Sequence, residues 1–196
     1  WTGECRFMTT CTAPVPGRDR VAFAAPDPGR IIPMALDQLG VQILGQKDAL
    51  LCAAKGISIG IAFTRKIGVG LFGGEGFILQ KLQGDGLAFV HAGGTLQRYE
   101  LEAGQSLRVD TGCLVAFQPS VSYDIQYVGG IKTALFGGEG LFFAKLVGPG
   151  SVWLQSLPFS RLADRIIASA PKAGGRRKGE GSILGGLGNL LDGDNR

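Results

Sequence analysis

The side chains placed most regularly for chemistry are three glutamates. Glu75 lies among Gly73, Gly74 and Gly76, Glu139 among Gly137, Gly138 and Gly140, and Glu4 follows Gly3 in a looser copy of the same turn. Carboxylates that recur once per copy of a repeated unit could gather around a cation or form a functional cluster. A carboxylate in a glycine turn also accepts hydrogen bonds from its own backbone, and that use needs no ligand. The second reading is the one expected. Gly3, Glu4, Gly73, Gly74, Glu75, Gly76, Gly137, Gly138, Glu139 and Gly140 are assigned as structural turn motifs, with no catalytic residue, no cofactor and no metal site.

Other chemistries find little support. The single histidine, His91, ends the apolar stretch LAFVHA and is expected in the core or at its rim. Asp110, Ser122 and Asp124 are candidate partners for a triad, but no sequence pattern brings them to His91. The stretch EAGQSLRVDTG (102–112) has a cupin flavour, yet a cupin metal site needs several histidines and only one exists. Gly68, Gly70 and Gly73 fit G-x-G-x-x-G, but strand-like FILQKL follows where a phosphate-binding helix should begin. Cys5, Cys11, Cys52 and Cys113 form no CxxC pair, so zinc is not expected and free buried thiols are.

The elements that would carry these residues come in copies. Residues 71–86, LFGGEGFILQKLQGDG, and 135–150, LFGGEGLFFAKLVGPG, agree at ten of sixteen positions at an offset of 64. TGECRFM (2–8) overlays GGEGFIL (73–79) more weakly. An apolar segment, expected as a strand, follows each copy: VAFAAP (21–26), LAFVHA (87–92) and SVWLQSLP (151–158). The first copy opens at its own turn, whereas the second is preceded by strands between Gln42 and Arg65. The natural protein is therefore expected to extend upstream, and a reading frame with Met directly before Trp1 contradicts that.

Ile57, Ile59, Ile61 and Phe63 alternate with small residues, the period of a strand. LQRYEL (96–101), SLRVDT (106–111), LVAF (114–117) and YDIQY (123–127) are further strands, set apart by short turns. Pro33, Pro119 and Pro158 are expected at strand ends. This is an all-β pattern, an antiparallel sandwich or barrel-like prism. Ser160 reads as the N-cap of one short helix over 160–169. The expected organisation is one β domain over 1–170, with a partial first repeat at 1–35, a second at 36–100 and a third at 101–158. Residues 171–196 form a glycine-, lysine- and arginine-rich linker and tail, whose Leu184, Leu187, Leu190 and Leu191 could dock on a neighbouring subunit.

With 45% apolar and 18% charged residues, the chain is not disordered throughout, and no apolar run is long enough for a spanning helix. The net charge of +4 divides evenly between residues 1–169 and the tail after them. A near-neutral body argues against nucleic acid, which needs concentrated Lys and Arg. Only a ring of subunits could collect Arg65, Lys66 and Lys132 at one rim.

VAFAAPDPGRIIPMAL, CAAKGISIGIAF, LFGGEGFILQKLQGDGLAFVHAGG, LRVDTGCLVAF and the stretch from Asp124 to Ile166 resemble the mitochondrial biogenesis family named for altered inheritance of mitochondria, member twenty-four. The resemblance covers roughly residues 1–168. It implies a TRAP-like fold with three structural repeats and a tendency to homo-oligomerise, and it supplies no catalytic residue. Fungal members are associated with the mitochondrial inner membrane, which leaves room for peripheral membrane association. The glycine-leucine tail resembles bacterial members and points to a bacterial cytoplasm. The function expected is a non-enzymatic, homo-oligomeric scaffold or interaction protein. The alternatives are a TRAP-like binding module for RNA or a small ligand and, third, an enzyme.

Overall fold

The structure is a computed structural model, and it describes residues 9–12, 14, 17, 19–65, 77–127 and 142–170. The chain divides into two compact units, Trp1–Leu162 and Ala163–Arg196. The described residues contain twelve strands: β1 (Gly29–Ala35), β2 (Gln42–Gln46), β3 (Leu50–Ala53), β4 (Ser58–Arg65), β5 (Phe77–Gln83), β6 (Leu87–Gly93), β7 (Leu96–Leu101), β8 (Ser106–Asp110), β9 (Leu114–Phe117), β10 (Ser122–Tyr127), β11 (Phe142–Val147) and β12 (Gly150–Gln155). Helix α1 (Phe159–Ser169) follows. The all-β class expected from the alternation holds, and β7 and β9 occupy the very ranges read from sequence.

The strands form three antiparallel sheets, ordered β1-β6-β3, β10-β11-β8 and β4-β5-β2-β9-β12-β7. The ladders follow one plan twice. β1 pairs with β6 as β7 does with β12, and β3 pairs with β6 as β9 does with β12. β2 pairs with β5 as β8 does with β11, and β4 pairs with β5 as β10 does with β11. β8, β9 and β10 begin 64 residues after β2, β3 and β4. One ladder lies outside this plan: β2 meets β9 through Leu44↔Phe117 and Gly45↔Ala116, and so builds the six-stranded sheet.

Burial explains why β9 is apolar throughout and why the centre of β2 is too. Both faces of the six-stranded sheet are covered there, so alternation with polar residues is lost. On one side Leu44, Leu114, Phe117 and Val152 join residues of β8, β10 and β11 in a core cluster. On the other, Ile43, Val115, Ala116 and Trp153 join residues of β1 and β6. Phe117 also packs a tilted ring on Tyr123 at 5.2 Å, and Phe63 meets Tyr123 edge-on at 5.3 Å. Burial in this clasp pushes the Tyr123 phenol above its ordinary pKa.

Three expectations need correction. VAFAAP (21–26) is not a strand, and Phe23 is 47% exposed. β6 and β12 are each held between two partners, and no described segment offers residues 21–26 even one. Pro33 lies in the middle of β1 rather than at a strand end. Gly94 N donates to Pro28 O and Leu36 N to Gly86 O, which fixes the alternation of the β1–β6 ladder. Pro33 then faces the outer side of an edge strand, where a missing N–H breaks no bond. Helix α1 begins at Phe159, ahead of Ser160, with Pro158 O accepting from Leu162 N.

Phe117→Ala should cost about 3–5 kcal/mol, since it empties a fully buried ring site at the junction of the halves. Phe23→Ala should stay within about 0.5 kcal/mol. Chemical denaturation of both variants checks this. Comparable losses would mean that residues 21–26 pack as a strand after all.

Candidate functional site

The polar side chains that could do chemistry collect in two places. The first is at the end of β6. His91 is 6% exposed, and its Nδ1 lies 3.7 Å from Asp27 Oδ1, the Asp27 side chain being 10% exposed. Asp27 belongs to the turn PDPG that leads into β1, and the pairing of β1 with β6 brings it to His91. Among the described residues, His91 Nε2 has no hydrogen-bond partner. It packs against the backbone of Gly29, where an added Cβ would stand 2.6 Å from it. Glycine is required at that position by close approach.

From Gly93 a chain of hydrogen bonds crosses to the second half of the fold. Gly93 N donates to Gln155 Oε1 at 2.7 Å, and Gln155 Nε2 donates to Gly112 O at 2.8 Å. Gly112 N donates to Asp110 Oδ1 at 2.8 Å, and Arg161 Nη2 of α1 donates to Asp110 Oδ2 at 2.7 Å. Thr95 N donates to Ser156 Oγ nearby at 2.8 Å. Gln155 thus satisfies one backbone group of β6 and one of the turn between β8 and β9, and Asp110 holds that tight turn and a helix at once. Asp110, considered with His91 in sequence, is engaged here instead. Asp124 is exposed and accepts from Gln126 Nε2 at 3.3 Å.

The second place lies on β7 and β12. Ser151 is buried, and its hydroxyl reaches Glu100 Oε1 at 2.7 Å and Oε2 at 2.8 Å. Arg98 Nη2 donates to Ser151 Oγ at 3.0 Å and forms an ion pair with Glu100. The Arg98 guanidinium also stands over the Trp153 ring, 5.3 Å from its centroid. Gln118 Oε1 accepts from Ser151 N at 2.8 Å. This is a charge-balanced triangle around one hydroxyl, without a histidine to take its proton.

The expected turn motifs, Gly3, Glu4, Gly73–Gly76 and Gly137–Gly140, lie outside the described residues, as do Leu184, Leu187, Leu190, Leu191, Lys66 and Lys132. The side chain of Arg65 is also outside them. Sequence reading missed both polar groups found here. Only the pairing of β1 with β6 brings Asp27 to His91, and Ser151 and Glu100 carry no local motif. Among the described residues, no group of three or more His, Cys, Asp or Glu could hold a metal ion, and no helix is long and apolar enough to cross a membrane. Cys11 and Cys52 are free, but Cys11 is exposed rather than buried. Burial pushes the Cys52 thiol above its ordinary pKa.

The fold is an all-β arrangement of three antiparallel sheets, and the polar side chains described above bridge segments of it. The chain belongs to the family described as Mitochondrial biogenesis AIM24, which matches residues 1–157. It is 26% identical over 171 residues to an uncharacterised protein of Streptococcus pyogenes serotype M6, covering 87% of this chain and 66% of that relative. The crystal structure of Streptococcus pyogenes protein SPYM3_0169 has the same fold, with a TM-score of 0.63 and 22% identity over 75% of this chain and 63% of that one. The chain thus spans about two thirds of the relatives it matches.

Gln155→Leu leaves Gly93 N and Gly112 O without their partner and should lower stability by about 2–4 kcal/mol. Thermal unfolding reads it, and an unchanged midpoint would remove this side chain from the seam. Iodoacetamide at pH 8 should label Cys11 at least about tenfold faster than Cys52 in the folded protein. In denaturant the two rates should converge. Equal rates without denaturant would contradict the partial burial of Cys52.

Proposed function

We propose that the protein works as a non-enzymatic, homo-oligomeric scaffold or interaction protein. The observation that carries this reading is the number of open sheet edges: β1, β3, β4, β7 and β8 each end a sheet among the described residues. An open edge presents unpaired N–H and C=O groups to another chain. The recurrence of one ladder plan supports a tandem-repeat reading of the same body. In that reading β2–β9 is the contact from one copy to the next. Applied again, it would use β8 on one side and β3 on the other, so a third copy of the unit could meet both.

The polar groups support the non-enzymatic part. His91 is turned against backbone, Ser151 is shared between Glu100 and Arg98, and Asp110 is shared between Gly112 and Arg161. Groups held by neighbours in this way stabilise strands and offer little to a substrate.

Native mass spectrometry of protein purified from its own source without refolding tests the proposal. A discrete whole-number multiple of the chain mass, with no adduct, is expected. A monomer carrying RNA, a metal ion or a small molecule would overturn the reading in favour of a TRAP-like binding module.

A further inference from the structure

Strand β7 ends the six-stranded sheet, and four residues in succession, Gln97, Arg98, Tyr99 and Glu100, are exposed along it. Exposure of consecutive residues means that both faces of the strand are uncovered. The alternation of its ladder is fixed by Ser156 N, which donates to Thr95 O. With Leu101 opposite Gly150 and Leu96 opposite Gln155, the backbone groups of Gln97, Tyr99 and Leu101 point to β12. Those of Leu96, Arg98 and Glu100 point outward, to no strand among the described residues.

Three other edges carry devices that discourage pairing. β1, in the position corresponding to β7, has Pro33 opposite Phe89 where β7 has Arg98 opposite Trp153. β3 is four residues long and has a register shift between Leu50 and Cys52, and β4 has one between Ile61 and Phe63. Prolines, bulges and short lengths all blunt an edge. β7 has none of them. It carries instead a charge pattern that is complementary to itself: Arg98 and Glu100 flank Tyr99 symmetrically.

We propose that β7 is the interface between two copies of this chain, paired antiparallel with its own counterpart about a two-fold axis at Tyr99. This rests on the oligomeric reading above and names its contact. In this register Arg98 of one copy lies opposite Glu100 of the other, and the outward backbone groups of both exchange hydrogen bonds. Tyr99 meets Tyr99 of the second copy at a non-hydrogen-bonded pair, where side chains approach most closely. The intramolecular pair of Arg98 and Glu100 becomes a two-by-two block of charges in which each faces its opposite across the interface. The two six-stranded sheets then run on as one sheet, which removes both edges.

The test is sedimentation velocity of the full chain over a concentration series. Arg98→Glu and Glu100→Arg should each weaken association at least about tenfold, because each puts like charges opposite one another twice. The double variant R98E/E100R restores opposite charges and should associate as the unchanged protein does. Tyr99→Cys should form a disulfide between copies under mild oxidation, located at position 99 by peptide mapping, since directly opposed strand residues lie within disulfide reach. This arm stands even if a charge variant fails to fold. Unchanged association in both single variants, or no cross-link at position 99, overturns the β7 interface while the oligomer itself stands. An unchanged protein that sediments as a monomer at every concentration overturns the oligomeric reading and the interface together.

Discussion

Everything else in this fold depends on the meeting of β2 and β9. Each half of the described chain completes its own ladders, and only this short contact makes one six-stranded sheet out of two three-stranded ones. The junction is narrow in hydrogen bonds and broad in apolar contact. Leu44 and Phe117 fill one side of it, and Ile43, Val115 and Ala116 fill the other. Packing on two faces, rather than ladder length, holds the halves in register.

Around that junction the polar residues act as ties. Gln155 links Gly93 to Gly112, and Asp110 carries the link on to Arg161 in the helix. Each tie bridges segments far apart in sequence, and each consumes donors and acceptors that a reaction centre would need free. Interaction through strand edges is the reading that uses what the fold leaves unused.

Much of the fold was legible because period-2 alternation and short glycine turns are local signals. β7 and β9 came out residue for residue. The failures were of another kind. VAFAAP has the composition of a strand, but a strand needs a neighbour, and composition does not say whether one is present. Pro33 was placed at a strand end because a proline inside a strand normally breaks a ladder, yet an edge offers a side with nothing to break. His91 was rightly kept near the core, but its partner Asp27 lies 64 residues upstream and is brought in by the β1–β6 pairing alone. The glycine–glutamate turns, the clearest feature of the sequence, fall outside the described residues, so the structure places none of them.

The nesting of the ladders bears on how the chain is made. β5 and β11 follow near-identical stretches of sequence, and each seeks two similar partners, so a complete unfolded chain could pair either strand with the wrong set. The ladders that β1 to β6 form with one another close within residues 29–93, before β7 begins, and only the contact of β2 with β9 waits for the second half. During synthesis the first half can therefore finish its pairing while the competing strands do not yet exist. Vectorial emergence from the ribosome settles a choice that the duplicated strands leave open, and refolding of the whole chain at once forgoes that protection.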